Sequence, residues 1–309
     1  MPHGKIPMMS SLKAKIASWL EPGCAVENGE YGTRFVPAGE WCEQHFGFVV
    51  NHNLKEIHFN RERGFISHGN YSFLEKLQEP LVGIKIVDSE AIFLEPCLTH
   101  AKSLRALDLS FIGTLKQPLP FERFVKLERL SVLVPVPRAE GLFQCSRLER
   151  LALSRYSGQL SQAQFANLKS LKVLFLSAIQ LANLVPLQEL GALEVLTIAG
   201  AKGMHSIDGI KGMHQLKSLT IESSSGLGSL QPIDELVGME RLWLYNCGRV
   251  DSLKPLQNLI QLREVTISGN TTVVDGDLSV LCKLPQLKTI CVAERKHYRP
   301  QAAVVNRNG

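Results

Sequence analysis

From Leu171 the chain reads LKVLFLSAIQLANLVPLQELGALEVLTIAG, ending at Gly200. Two copies of one hexamer, LKVLFL from Leu171 and LEVLTI from Leu193, bracket a run in which leucine returns every third residue: Leu181, Leu184, Leu187, Leu190 and Leu193. The two parts have different periods. Within the hexamer the fourth and sixth residues, Leu174 and Leu176, are two apart, so they share one side of a β-strand. Spacing by three suits a 3₁₀ turn or a short helix. A strand and a tight return therefore alternate.

Working outward, the same apolar-x-x-apolar-x-apolar hexamer begins at Leu54, Leu81, Leu104, Leu127 and Leu148, and again at Leu216, Met239, Leu262 and Leu287. That makes eleven, with successive starts 21 to 27 residues apart. Leucine-rich repeats have a period of about 20–29 residues. One such hexamer arises easily by chance; eleven in phase do not. A single repeat cannot bury its own apolar edge, but neighbours stacked as a parallel sheet cover it. Each buried Leu or Ile then contributes about 1.5–3 kcal/mol. Ile207, Ile210, Met213 and Leu216 repeat the three-residue spacing, as do Leu253, Leu256, Leu259 and Leu262. Pro186, Pro232 and Pro255 fix φ at matching places and discourage a long helix there. The predicted fold is an α/β solenoid, a horseshoe whose concave side is a parallel β-sheet. Its convex segments are short 3₁₀, helical or irregular, and eleven strands spaced by about 4.8 Å give a sheet roughly 50 Å long.

The stretch VDSLKPLQNLIQLREVTISGN (Val250 to Asn270) resembles the repeats of bacterial internalins and of SDS22-type phosphatase regulators, and LANLVPLQELGALEVLTIAG (Leu181 to Gly200) is similar. The resemblance covers about Leu54 to Val292. It implies a leucine-rich-repeat protein that binds or regulates another protein. The chain departs from that pattern after the strand, where the family usually carries Asn. Tyr156, Ile179, Ala201, Ser224, Cys247 and Asn270 stand there, and only the last two fit. Irregular turns are expected.

The expected organisation is an N-terminal cap over 1–53, eleven repeats over 54–292, and a C-terminal tail or cap over 293–309. Residues 1–53 lack the repeat but hold Trp19, Phe35, Trp41, Phe46 and Phe48, enough apolar surface to shield the first repeat. Leu12 to Leu20 suggests a short amphipathic helix, and Arg34 to Pro37 with Phe46 to Val50 suggests two strands. The end of the chain is polar, with Arg295, Lys296, Arg299 and Arg307, and is expected to fray.

Composition narrows the function classes. No apolar run approaches the roughly 20 residues that span a bilayer. Ser10, Ser11, Lys13 and Lys15 interrupt any secretory core near the N-terminus, which points to a cytoplasmic protein. Seven dispersed cysteines without a Cys-x-x-Cys pair argue for reduced thiols, mostly buried. The formal charge of +5 favours a partner with a neutral or acidic surface, but it is no nucleic-acid signature without a basic stripe.

Strand residues facing away from the core are the third, fifth and seventh of each repeat. Arg241, Trp243 and Tyr245 share that face on one strand, and Phe175 occupies a fifth position three repeats earlier. Trp, Tyr and Arg are the types enriched in binding hot spots, so these are candidate partner-binding residues. Arg129 and Arg150, third residues of adjacent repeats, form a second candidate, for an acidic group. The competing reading is a stacked surface Trp and solvated arginines. No catalytic, cofactor or metal site is expected. The obvious nucleophile and base on the strand face, Cys291 and His58, lie ten strand spacings or about 48 Å apart. Asp275-Gly276-Asp277 lacks the rest of a calcium loop, and Gly226-Leu227-Gly228 lacks the rest of a phosphate loop. The expected function is non-catalytic protein binding, in its narrowest form an immunity protein that inhibits a bacterial toxin. A regulatory subunit of an enzyme such as a phosphatase is the alternative. Nucleic-acid binding ranks lower, because Glu56, Asp108, Glu222 and Glu264 are scattered along the same face.

Overall fold

A computed structural model describes residue 20 and residues 22–115, 117–133, 139–224 and 226–306. Apart from Leu20, the helix expected over Leu12 to Leu20 lies outside the described residues. The chain divides into two compact units, residues 1–148 and 149–309. In both, every hexamer forms a strand that begins at its third residue.

In the first unit these strands are β4 (Glu56–Asn60), β6 (Gly83–Ile92), β7 (Ala106–Leu115) and β8 (Arg129–Val132), paired in parallel in that order. Preceding them are β1 (Ala25–Asn28) and β2 (Thr33–Val36), an antiparallel hairpin whose second strand extends the sheet by pairing in parallel with β4. A minor parallel pair joins β3 (Gly39–Glu40) and β5 (Phe65–Ile66). The second unit carries β9 (Arg150–Ser154), β10 (Val173–Ser177), β11 (Val195–Ala199), β12 (Ser218–Glu222), β13 (Arg241–Tyr245), β15 (Glu264–Ser268) and β17 (Thr289–Val292). They too are parallel neighbours in that order. On the return side β14 (Arg249–Val250) pairs with β16 (Thr272–Val273).

The core follows the two periods. Leu171, Leu174 and Leu176 are fully buried, as are Leu184, Leu187 and Leu193 of the return, and equivalent positions repeat this down the chain. The returns contain the 3₁₀ turns Val185–Leu187, Gln231–Ile233 and Lys254–Asn258, each with its proline in the first turn. A missing proline N–H costs nothing there, because the first amides of a helical turn have no internal acceptor.

The structure corrects three expectations. Phe46 to Val50 belongs not to a strand but to a helix, α1 (Glu43–Asn51). His45, Phe48 and Val49 are spaced by three and one and fall on its buried face. His45 Nδ1 accepts the Cys42 amide at 3.2 Å at the start of the helix, and Phe48 packs 5.2 Å from Phe35 of β2. A β-prone sequence yields here to tertiary burial of one helical face.

The end of the chain is not frayed up to Asn306. After a cis Arg299–Pro300 peptide comes one helical turn, α2 (Ala302–Val305), with Tyr298, Ala302 and Val305 fully buried. The Tyr298 hydroxyl accepts the Val273 amide at 2.9 Å. The Asn306 side chain accepts from Val292 N (2.9 Å) and donates to Val292 O (3.1 Å) beside β17, meeting backbone groups that a last strand would leave open.

The turns after the strands are regular, not irregular. In six consecutive repeats of the second unit the strand is followed at once by a residue with positive φ: Arg155, Ala178, Gly200, Ser223, Asn246 and Gly269. Arg155, Ala178, Gly200, Ser223 and Asn246 each donate their amide to the next strand's last carbonyl at 2.8–3.2 Å, so the ladder continues through the turn. Tyr156, Ile179, Ala201, Ser224 and Cys247 then turn inward and are buried. In the last of these repeats the inward residue is Thr271, not Asn270. Thr271 Oγ1 accepts the Cys247 amide at 2.9 Å, while Asn270 stays exposed and accepts the Gly248 amide at 3.1 Å. Mostly apolar side chains of varied size, from Ala201 to Tyr156, stand where the family pattern has Asn.

Candidate binding surface

Each unit presents a strand face, built from the residues between the buried fourth and sixth positions. Strand pairing sets these residues in rows. In the second unit one row runs Ala152, Phe175, Thr197, Thr220, Trp243, Thr266, Cys291. A neighbouring row sets Glu222 beside Tyr245 and Tyr245 beside Ser268, and another sets Ser218 beside Arg241 and Arg241 beside Glu264.

The expected cluster on β13 is present. Along it exposed and buried residues alternate strictly, so Arg241, Trp243 and Tyr245 all face outward, with Trp243 and Tyr245 each 44% exposed. Thr220 and Thr266 flank Trp243, short side chains that leave its ring standing above the sheet, while Tyr245 stands between Glu222 and Ser268. Among the described residues, no hydrogen bond, ion pair or ring contact engages the side chains of Arg150, Arg241, Trp243 or Tyr245. Phe175 shares the Trp243 row but is only half-exposed. Three strand spacings separate the two, about 14 Å, so they are parts of one surface and not a single pocket. Arg150 is exposed at the start of β9.

The first unit differs, and here the expected open face is corrected. Glu56 and His58, third and fifth residues of β4, are buried to 1% and 6% exposure. The hairpin β1–β2 and its tip, residues 29–32, cover them. Glu56 accepts the backbone amides of Glu30 (3.0 Å) and Tyr31 (2.5 Å) and an ion pair from Arg34 (3.0 Å). His58 Nδ1 meets Glu27 Oε1 at 3.0 Å. Burial lowers the His58 pKa, against the opposing pull of Glu27. The Glu56 side chain also explains a glycine on the strand face. A Cβ at Gly83 would come within 2.9 Å of Glu56 Cγ.

Farther along, the tip meets the starts of β7 and β8. The Arg105 guanidinium lies 4.3 Å from the Tyr31 ring centre, cation–π range. The Tyr31 hydroxyl donates to Glu128 at 3.0 Å, while Arg105 binds both oxygens of Glu128 at 2.8 Å. Burial, then the Glu128 contact, pushes the Tyr31 phenol up to about 12. Arg129 pairs with Glu30. The acidic group expected to meet Arg129 is thus supplied by this chain, and Arg129 and Arg150 fall in different units. Sequence reading missed Glu30, Tyr31 and Arg105. The available signals were Gly29 and Gly32 around an aromatic residue, and a carboxylate at a strand position beside Gly83.

Among the described residues, no group of three or more His, Cys, Asp or Glu side chains is placed to hold a metal ion, and no helix is long and apolar enough to cross a membrane. None of the described cysteines is in a disulfide; Cys24, Cys97, Cys145 and Cys247 are buried, whereas Cys282 and Cys291 are exposed. A cavity of about 730 Å³ lies beside the turns that follow β9, β10 and β11, lined by Gln159, Leu181, Asn183 and Lys202 among others. Neither histidine nor carboxylate lines it.

No protein-family model matches the chain, and no curated protein does. Solved structures do. An internalin (inlF) from Listeria monocytogenes superposes with a TM-score of 0.58 at 18% identity, covering 85% of this chain and 83% of the internalin. A leucine-rich-repeat protein of Leptospira interrogans gives 0.58 at 16% identity, covering 84% and 78%. TLR13, solved in complex with ssRNA13, gives 0.58 at 17% identity; this chain covers 39% of it, and 84% of this chain is matched. At such identities the likeness concerns the fold alone. The chain has the leucine-rich-repeat fold, with repeats like those of internalins.

Proposed function

We propose that this chain is a non-catalytic protein-binding module whose partner docks on the strand face of the second unit. The observation that carries the reading is the triad on β13. Arg241, Trp243 and Tyr245 stand outward on one rigid strand, and among the described residues no hydrogen bond, ion pair or ring contact engages their side chains. Rigid aromatic and arginine side chains of this kind lose little freedom on binding and dominate interface energies. Phe175 and Arg150 extend the surface. A partner with a neutral or acidic patch suits the two arginines and the formal charge of +5. In its narrower form the module is an inhibitor that occupies its partner's working surface, such as the immunity protein of a bacterial toxin.

Co-purification with mass spectrometry, repeated with Trp243→Ala plus Tyr245→Ala, tests the reading. Hot-spot side chains are worth about 2 kcal/mol or more each, so the double variant is expected to release a stoichiometric protein that the parent chain retains. Retention by a folded double variant would overturn the site. Abolished activity in the captured partner supports the inhibitor form, whereas tuned activity points to a regulatory subunit, such as that of a phosphatase. Capture of nucleic acid alone would replace the whole reading, since the structurally similar TLR13 was solved with ssRNA13.

A further inference from the structure

The tip of the β1–β2 hairpin sits on the strand face of the first unit much as a bound peptide would. Its two ends are held differently. The root is apolar and built into the sheet: Phe35 and Val36 are fully buried and β2 pairs with β4. The tip, Gly29-Glu30-Tyr31-Gly32, leaves the sheet, and Gly32 has a φ of 138°. Beyond Glu56, it meets charged side chains of other repeats. Arg105 lies over the Tyr31 ring, Glu128 accepts the Tyr31 hydroxyl, and Arg129 pairs with Glu30. Tyr31 and Arg129 are half-exposed and Glu30 is exposed. Contacts of this class are individually weak and screened by salt, unlike the buried root.

The three groups on the sheet form a recognition site with its own selectivity. One arginine stacks on an aromatic ring, a carboxylate takes the phenol proton, and a second arginine takes an acid one residue earlier. Arg105 also holds both Glu128 oxygens, so the carboxylate is fixed whether or not a tyrosine is present. We propose that Arg105, Glu128 and Arg129 form a binding site for a Glu-Tyr step in an extended protein segment. The chain's own Glu30 and Tyr31 occupy this site, and a partner bearing the same step competes for it. This is a second contact region, distinct from the β13 triad and independent of it.

A labelled peptide of residues 27–34, ENGEYGTR, is the probe. It is expected to bind Glu30→Ala plus Tyr31→Ala, in which the tip contacts are removed, at least about tenfold more tightly than the parent chain. Adding Arg129→Ala to that variant should lose the gain, and a scrambled peptide should not bind. Equal binding to the parent and the emptied variant, no binding to either, or equal binding of the scrambled peptide would overturn the site. Hydrogen exchange on the unaltered chain supplies a second check that needs no substitution. Salt should speed exchange at the Glu30 and Tyr31 amides while Phe35 stays protected. Tip amides as salt-insensitive as the root would equally overturn it.

Discussion

The strand faces of the two units are made by one repeat and have opposite chemistry. In the first unit, Glu56, His58 and Arg129 are paired, half-buried or buried, and roofed by the chain's own hairpin. In the second, Arg241, Trp243 and Tyr245 stand open on β13, with Trp243 between two short threonines. The repeat fixes which residues point outward, but not whether they stay available. Availability depends on what else the chain lays over the sheet. Charged groups on the first unit's strand face therefore serve cohesion, while Trp243 and Tyr245 on the second unit's have no such employment.

The largest expected effect breaks this contrast from the first side. Glu56→Ala would leave Arg34 and the Glu30 and Tyr31 amides without their buried acceptor. Breaking a buried pair of this kind costs about 3 kcal/mol or more, read by denaturant unfolding. Little change would mean that the hairpin is held by its apolar root alone.

Acid should act on the same unit next. His58 and His100 both have pKa values lowered by burial below the ordinary 6.5. Between the lowered value and 6.5 the unfolded chain binds more protons, so stability falls as pH drops below 6.5. Glu27, Asp88 and Glu128 have lowered pKa values, so their contribution holds above the ordinary 3.8–4.5 and is lost as pH falls through the lowered values. Hydrogen-exchange protection in β4 and β6 is expected to weaken at mildly acid pH before that in β12 and β13. The reverse order would contradict the contrast.

The smallest effect comes from the open face. Trp243→Ala and Tyr245→Ala should each change stability by about 0.5 kcal/mol or less, because neither ring supports the core. By comparison Leu242→Ala, one residue away and fully buried, should cost about 2–5 kcal/mol. A large cost at Trp243 would make the triad structural.

Much of this was legible in the sequence because it is periodic. The hexamer phase places eleven strands, and residues two apart place Arg241, Trp243 and Tyr245 on one face. What escaped was non-local or masked by local propensity. The tip's partners lie 25 residues away at Glu56 and 97 away at Glu128, a distance no repeat pattern spans. Phe46-Gly47-Phe48-Val49-Val50 reads as a strand until Phe35 is known to pack on Phe48. The polar end of the chain hides Tyr298, Ala302 and Val305, all fully buried, with Ala302 and Val305 three apart on one helical turn. The turn residues escaped because positive φ was met by Arg155, Ala178, Ser223 and Asn246 as well as by glycine.

Hydroxyl-radical footprinting of the free chain and of its complex with the captured partner tests the difference between the two faces most directly. Trp243 and Tyr245 should be readily oxidised in the free chain and protected in the complex. Rings that stay equally reactive when the partner is bound would place the interface elsewhere.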